Sequence, residues 1–292
     1  MKARGYEVHS GDMLRFAHYF QVARIVRGRC PSFSRLRAHL GVTTPTEIVD
    51  FLNSCQPVRG WLTRQFSESR RFFTQRNARC ADACRLWIRD WQQNGLTTPS
   101  EHAVLLASLI DSLDRVANTA GTYYAHLKQW HRKALRPFLF RLVPPTYGPT
   151  GCTSRQCDAR ELVRGQEFDV VYLDPPYNQR SYAHYYHLPE SIALDETPRA
   201  RGKSGIPSSE KPRSAFYRRE SAVAALEEIL SLVTFRIAVV HYADNGLVDP
   251  GTLGGLLKEH GRVTHKTVLS RGYTSLPNLR TVTHRIYLVS NA

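Results

Sequence analysis

The amino-acid sequence predicts an α/β core that is interrupted by a long helical insertion. Short apolar runs separated by turn residues occur at the start of the chain and again after Pro144 and Pro145, as in strands that alternate with helices. Between these regions, apolar residues recur at helical spacing from residue 34 to residue 142. The expected division is a first core part at 1–33, a helical insertion at 34–148 and a second core part at 149–292.

Each part carries its own local signals. In the first, YEVHSGD (6–12) alternates like a short strand that ends in an acid, and DMLRFAHYFQVARIV then has apolar residues at helical spacing. In the insertion, stretches that begin at Thr44 and Thr98 open with a hydroxyl cap and place a Glu where a capping box requires it. The second core part is expected to contain helices near 218–232 and 251–259 and strands at 168–174, 235–242, 262–270 and 281–290, the last two paired as a hairpin.

The segment from Thr197 to Ser214, TPRARGKSGIPSSEKPRS, is rich in Pro, Gly, Ser and positive charge. This composition predicts a mobile loop rather than a helix or a strand. The loop follows closely on the strongest motif of the chain, which is described below.

The charge balance favours a polyanionic partner. The chain has 40 Lys and Arg against 25 Asp and Glu, a net charge of +15, and most of the basic residues are Arg. Guanidinium groups suit bidentate phosphate contacts, which favours nucleic acid over a membrane surface, although Arg richness that reflects only genome composition and solvated faces stays an alternative. No stretch approaches ~18 consecutive apolar residues, and the start has no signal-peptide segment, so a soluble, cytoplasmic protein is expected.

The six cysteines are scattered at spacings that match neither a disulfide framework nor a zinc pattern. Cys80 and Cys84 would share one helix face, but no His or further Cys lies near them, so packing is the simpler interpretation. No structural metal is predicted.

The insertion also contains SESRRFFTQRNARCADACRLWIRDWQ, in which basic and aromatic residues interleave. Helical amphipathicity explains most of this pattern. A nucleic-acid-binding face is the alternative interpretation for the rest.

The motif that carries chemistry is FDVVYLDPPYN, in which an apolar strand delivers Asp174, Pro175, Pro176 and Tyr177 at its carboxyl end. These residues offer a carboxylate acceptor, carbonyls on a backbone that two prolines stiffen, and a flat aromatic face. An exocyclic amine on a base is a poor nucleophile because its lone pair is delocalised into the ring, and accepting both of its hydrogens frees that lone pair. The motif therefore predicts a site for a planar amine; a Pro-Pro turn in which Asp174 only caps and Tyr177 only packs is the alternative.

The stretch DPPYNQRSYAHYYHLPESIAL resembles the amino-methyltransferases that use S-adenosylmethionine, and most closely the N6-adenine DNA methyltransferases of the Dam-like modification-methylase group. HYADNGLVDPGTLGGLLKEHG is similar to the next strand of that family and its SYNxEG turn, here altered at residues 241 to 246. DRVANTAGTYYAHLKQWHRKAL, interpreted as helical, is similar to a segment of one subfamily. The resemblance implies a Rossmann-like S-adenosylmethionine-dependent methyltransferase core, in which Asp174 and the Pro175 carbonyl accept the amine of a flipped adenine and Tyr177 stacks on the base.

The resemblance also implies how the cofactor and the DNA are held. Asp12 would bind the ribose hydroxyls of S-adenosylmethionine, Asp158 would approach its adenine amine, and Asp174 would lie beside the cofactor. Taken alone, an Asp such as Asp12 before a helix is far more often a helix cap, and Asp158 is as plausible a cap as a ligand. Double-stranded DNA is the implied partner, gripped by the helical insertion and the basic loop at 198–213, together with a companion restriction endonuclease.

The resemblance breaks at the start of the chain. Family members begin with a strand and a Gly-rich FxGxG turn, whereas MKARGYEV resembles the last turn of the helix that follows it, so the core is expected to be truncated at the N-terminus. A start placed downstream of the true one, a degenerate remnant and a partner chain that supplies the missing part are three explanations. Two other functions stay open: methylation of an amine in ribosomal RNA or another acceptor, and DNA binding without catalysis.

Overall fold

The computed structural model describes residues 1–179, 181–208, 214–271 and 281–291. The chain divides into two units, each built around its own hydrophobic core. The first unit comprises Met1–Gln156 and Ala183–Lys211, and the second comprises Cys157–Tyr182 and Pro212–Ala292. The first predicted core part and the insertion therefore lie together in one unit. The α/β class predicted from the sequence is confirmed.

The first unit combines a small parallel sheet with a helical bundle. Strands β1 (His9–Asp12) and β2 (Thr153–Gln156) pair in parallel, with His9 opposite Thr153. The helices are α1 (Arg15–Gln21), α2 (Ser34–Leu40), α3 (Pro45–Ser54), α4 (Gln75–Gln93) and α5 (Pro99–Asp114), followed later in the chain by α7 (Tyr182–Tyr185), which begins at the unit boundary, and α8 (His187–Ala193). Shorter helical turns lie at Lys2–Arg4, Val22–Val26, Thr63–Glu68 and Arg132–Leu135.

The bundle forms because its helices are capped by the residues that the sequence places there and are buried on broad apolar faces. Both predicted capping boxes are confirmed: Thr44 with Glu47 starts α3, and Thr98 with Glu101 starts α5. Helix α5 is apolar on nearly all sides, as expected of a central helix. Around it the core holds the fully buried rings of Phe33, Phe66, Phe72, Phe73, Trp91 and Phe140.

The prediction that the helical pattern continues from Asp114 to residue 142 is wrong. After α5 the chain runs mainly in turns, with an isolated bridge between Thr119 and His126. The reason is the buried Asn118, whose side-chain amide donates to the carbonyls of Arg71 and Leu127 at 3.0 and 3.1 Å, while its oxygen accepts from a third backbone amide at 2.9 Å. An Asn side chain that satisfies the backbone in this way replaces the helical ladder.

A second buried polar side chain, on α4, organises the helical turn that precedes α4 in the sequence. The carboxylate of Asp82, on α4, accepts hydrogen bonds from the amides of Gly60, Leu62 and Thr63 at 2.9 to 3.0 Å and from the Thr63 hydroxyl at 2.7 Å. These amides start the helical turn at Thr63–Glu68 and have no partner within it. Position 60 is a glycine because a Cβ there would overlap the Asp82 carboxylate.

The segment predicted to be a mobile loop is held in place over 197–208. The Trp61 indole donates to the Pro198 carbonyl at 2.9 Å, and the Arg70 guanidinium donates to the carbonyls of Ala200 and Gly202 at 3.2 and 2.9 Å. The predicted loop is confirmed over 197–208, and side chains of the bundle bind its backbone. The rest of that segment, 209–213, lies outside the described residues.

The second unit is a mixed four-stranded sheet with helices. Strands β3 (Gln166–Leu173), β4 (Val233–Ala243), β5 (Arg262–Arg271) and β6 (Thr281–Ser290) lie in the order β3-β4-β6-β5. Strands β3 and β4 are parallel, and the other two pairings are antiparallel, which confirms the predicted hairpin. The helices are α6 (Ala159–Val163), α9 (Arg219–Leu232) and α10 (Pro250–Lys258), the last two at the predicted places.

Apolar side chains of α9 and α10 join those of the strands in one core, represented by Leu226, Leu257 and Val240. Other strand residues, such as Tyr172 and Leu288, remain exposed. None of the described helices in either unit is long and apolar enough to cross a membrane.

We expect Asp82→Ala to lower the free energy of unfolding by about 3 kcal/mol, because it leaves several buried amides without an acceptor. Asp50→Ala is the control, since Asp50 is an exposed carboxylate on helix α3. Chemical denaturation of both variants measures the difference. A loss for Asp82→Ala no larger than for Asp50→Ala would show that this carboxylate does not hold the turn.

Candidate active site

The DPPY motif lies where the sheet of the second unit ends. Leu173, the last residue of β3, is paired with Val240 of β4, and the two strands run in the same direction. Asp174 therefore leaves the sheet beside His241 at the carboxyl ends of both strands. This edge is where open α/β sheets hold their ligands.

Asp174 presents an accessible carboxylate. Its side chain is 52% exposed, and Oδ1 lies 3.1 Å from Nδ1 of His241, whose side chain is 29% exposed. Because an ionised carboxylate can only accept, Nδ1 is the nitrogen that carries the proton. Within the described residues Oδ2 has no hydrogen-bond partner. One carboxylate oxygen is thus fixed by the protein, and the other is available to a ligand.

Tyr177 is held by the segment that follows β4. Its carbonyl accepts from the amide of Leu247 at 3.0 Å. Its ring is perpendicular to the rings of Tyr242, at a centroid distance of 6.4 Å, and His284, at 5.9 Å. Between Asp174 and Tyr177, the buried Pro175 and half-buried Pro176 have no N–H, so this backbone offers only acceptors.

The turn after β4 depends on a close approach to an aromatic ring. A Cβ at Gly246 would overlap the ring of Tyr242, whose hydroxyl accepts from the Val248 amide at 3.3 Å. This ring in turn packs against Tyr177. The glycine of the altered SYNxEG turn therefore supports the DPPY motif through Tyr242.

Two histidines complete the site, and sequence analysis identified neither as a site residue. The rings of His241 and His284 stack at 5.0 Å with an interplanar angle of 25°. Burial lowers the pKa of His284, and a charge on His241 would lower it further, while Asp174 and Asp244 act in the opposite direction. The register of β4 and β6 could have identified these two histidines, because it places Ala243, near His241 on β4, opposite His284 on β6.

Of the other two carboxylates predicted to hold the cofactor, Asp158 is a helix cap, whereas Asp12 is the last residue of β1 and lies before the cap residue of α1. In the first unit, Oδ1 of Asp12 accepts from the Leu14 amide at 2.8 Å, and burial raises the pKa of this carboxyl. Its Oδ2 has no partner among the described residues, which leaves an acceptor for a hydroxyl. In the second unit, Asp158 caps α6 through the Arg160 amide at 2.9 Å and pairs with the same residue's guanidinium, which holds the Asp158 pKa below its ordinary value.

The basic and aromatic residues of the insertion separate into two groups. Most of the aromatic rings are buried, and Arg85 and Arg89 pair with Asp195 inside the first unit at 3.2 and 2.6 Å, as packing predicts. Other basic residues stay exposed, including Arg71 and Arg76. Packing therefore explains one part of the pattern, and a basic surface remains.

Part of this surface lines a cleft of about 390 Å³ in the first unit. Arg71 and the half-exposed ring of Trp130 line it, together with Ser67 and His126. The Ser67 hydroxyl and Nδ1 of His126 are buried and have no hydrogen-bond partner in the described part of the chain. The cleft thus combines positive charge, an aromatic face and unsatisfied polar atoms.

In the ranges that the structure describes, no three His, Cys, Asp or Glu side chains come together as ligands of one ion. The six cysteines are all free thiols.

Similarity to known proteins agrees with the resemblance inferred from DPPY. The type II methyltransferase M.FokI of Planomicrobium okeanokoites is 30% identical over 88% of this chain, and the modification methylase StsI of Streptococcus sanguinis is 30% identical over 92%. The type II methyltransferase M.NlaIII of Neisseria lactamica is 30% identical over 74%. The chain spans 40%, 42% and 65% of the lengths of these relatives. No solved structure matches the chain.

The family model for D12 class N6 adenine-specific DNA methyltransferases matches residues 47–242. This range covers about two thirds of the chain and includes most of the helical insertion, the DPPY motif and most of β4. The family predicted from the sequence is therefore confirmed. The chain belongs to the D12 class of N6 adenine-specific DNA methyltransferases.

Proposed function

We propose that this chain carries the catalytic site of a DNA methyltransferase that transfers a methyl group from S-adenosylmethionine to the N6 amine of an adenine flipped out of double-stranded DNA. The observation that carries the proposal is the half-exposed Asp174 carboxylate, with one oxygen held by His241 and the other available, immediately before two prolines and a fixed Tyr177. Family membership supports the same reaction.

In this proposal the protein prepares the amine. Asp174 Oδ2 and the Pro175 carbonyl each accept one amine hydrogen, which draws the nitrogen out of conjugation with the adenine ring and frees its lone pair. Tyr177 stacks on the extruded base and compensates for its lost stacking in the duplex. When bound, S-adenosylmethionine supplies the methyl group on a sulfonium centre. The chain contributes alignment and exclusion of water, so geometry governs the rate.

Two carboxylates are proposed to hold the cofactor. Asp12 would accept a ribose hydroxyl through Oδ2, and the fact that its hydrogen bond to the Leu14 amide uses only Oδ1 supports this role. Asp158 would accept from the adenine amine while it shares its oxygens with Arg160, because a carboxylate has about four acceptor positions. A Rossmann-like core stays a prediction.

The basic cleft of the first unit is proposed to contact the DNA. Arg71 suits a phosphate, Trp130 suits a base or sugar face, and the unsatisfied Ser67 and His126 atoms suit further polar contacts. The predicted recognition role of residues 34–148 rests on this surface. A companion restriction endonuclease, which the resemblance implies, and a cytoplasmic location, which the sequence analysis expects, stay predictions.

Asp174→Ala is expected to reduce methyl transfer by about 100-fold or more, because an acceptor that activates the amine is removed. DNA affinity should change little. Transfer of a radiolabelled methyl group to unmethylated genomic DNA measures the first effect, and fluorescence anisotropy measures the second. Asp169→Ala is the matched control, since Asp169 lies on the same strand and is 79% exposed. Retained transfer in Asp174→Ala would remove Asp174 from the mechanism.

Tyr177→Ala is expected to weaken capture of the flipped base, and a mismatch at the target adenine should partly restore transfer because less pairing must be broken. Single-turnover rates on matched and mismatched duplexes measure the rescue. Tyr172→Ala is the control, since Tyr172 is 55% exposed on β3. If the mismatch restores nothing, Tyr177 only packs against Tyr242 and His284.

Saturable binding of S-adenosylhomocysteine is expected in calorimetric titration of the 292-residue chain. Asp12→Ala should weaken it by about tenfold, the effect of losing one charged hydrogen bond. Thermal unfolding checks that the variant keeps its fold without the hydrogen bond from the Leu14 amide to Asp12. Absence of binding in the parent chain would instead favour a DNA-binding protein without methyl transfer.

A further inference from the structure

We infer that His241 is a positioning residue for Asp174, which it holds through Nδ1–H so that one carboxylate oxygen stays available to the target amine. This inference rests on the proposed function, because it assigns His241 a role in the same reaction.

The first step is geometric. A half-exposed carboxylate without a partner can rotate about its side-chain bonds, and ordering it costs conformational entropy. The 3.1 Å contact with His241 removes much of that freedom before the substrate arrives. His241 is itself fixed, because it belongs to β4, pairs with Ile286 of β6 and stacks on the ring of His284. The histidine therefore orients Asp174 from a rigid strand.

The second step is electrostatic. The ring of His241 donates to Oδ1, so the other oxygen of the carboxylate stays a strong acceptor for an amine hydrogen. Without this donor, either oxygen could turn toward water, and the carboxylate would have to be ordered when the substrate binds.

The other groups around His241 do not replace Asp174 as the acceptor of its N–H. On β6, His284 stacks on His241, and burial lowers the pKa of His284. Asp244 is paired with Arg285 at 2.8 Å, so its charge is compensated. Tyr177 and Tyr242 contribute neutral rings, and burial raises the Tyr242 pKa. In the described part of the site, Asp174 is the charge without a basic counterpart that faces His241.

The pairing is tested first without any methylation assay. In NMR spectra of the chain labelled in its histidines, the Nδ1 resonance of His241 should move in Asp174→Ala, because its acceptor is gone. The resonances of His39, which is exposed on α2, should not move. An unchanged His241 resonance overturns the inference.

The role in transfer is tested by single-turnover rates on unmethylated genomic DNA at one fixed pH. His241→Ala lacks the donor and should be slower by about tenfold. His241→Asn keeps an N–H donor and should recover part of that loss. His284→Phe keeps a stacking ring, and its loss should be smaller than that of His241→Ala.

The outcomes separate the inference from the function on which it rests. Equal losses in His241→Asn and His241→Ala, or no loss in His241→Ala, overturn the positioning role even if methyl transfer by the parent chain is normal. If the parent chain transfers no methyl group, the proposed function fails, and the role of His241 in transfer fails with it. The NMR comparison then still reports whether the two side chains are paired, which distinguishes the two failures.

Discussion

The parallel pairing of β3 with β4 is the interaction on which the candidate site depends. It brings Asp174 and His241, which are separated by 67 positions, to the same edge of a sheet and within hydrogen-bond distance. The antiparallel addition of β6 then places His284 against His241. Because each pairing is fixed by a continuous ladder of backbone hydrogen bonds, a slip by one residue would turn these side chains to the opposite face. Register is thus as important to the site as the motif itself.

A different constraint shapes the first unit, where buried polar side chains replace regular structure. Asn118 binds two backbone groups of the loop that follows it and the distant carbonyl of Arg71, and Asp82 binds the amides that begin a helical turn. Each is buried, so each must satisfy its hydrogen bonds inside the protein, and the chain around it adopts the path that allows this. In this bundle, hydrogen bonds from buried side chains therefore fix the non-helical connections, as backbone hydrogen bonds fix the helices.

Some arginines stabilise the fold of the first unit, and others remain exposed on its surface. Arg70 binds loop carbonyls, and Arg85 is buried beside Asp195, so these guanidinium groups stabilise the first unit. Arg71 contributes one hydrogen bond to a carbonyl but remains exposed at the cleft. The 40 Lys and Arg are therefore an upper bound on the basic groups available to a polyanion, because some of them are paired within the fold.

Local patterns in the sequence determined the strands and helices of the second unit, the two capping boxes and the DPPY motif, because each depends on residues a few positions apart. The path after Asp114 was decided by tertiary structure, since the partners of Asn118 include the carbonyl of Arg71, which no local pattern reveals. The same holds for His241 and His284, which reach the site through strand pairing. For Asp12 and Asp158 the sequence was not sufficient, because a carboxylate before a helix can serve as a cap or as a ligand. Only the atoms around each carboxylate distinguish an oxygen that is still available from one that is already engaged.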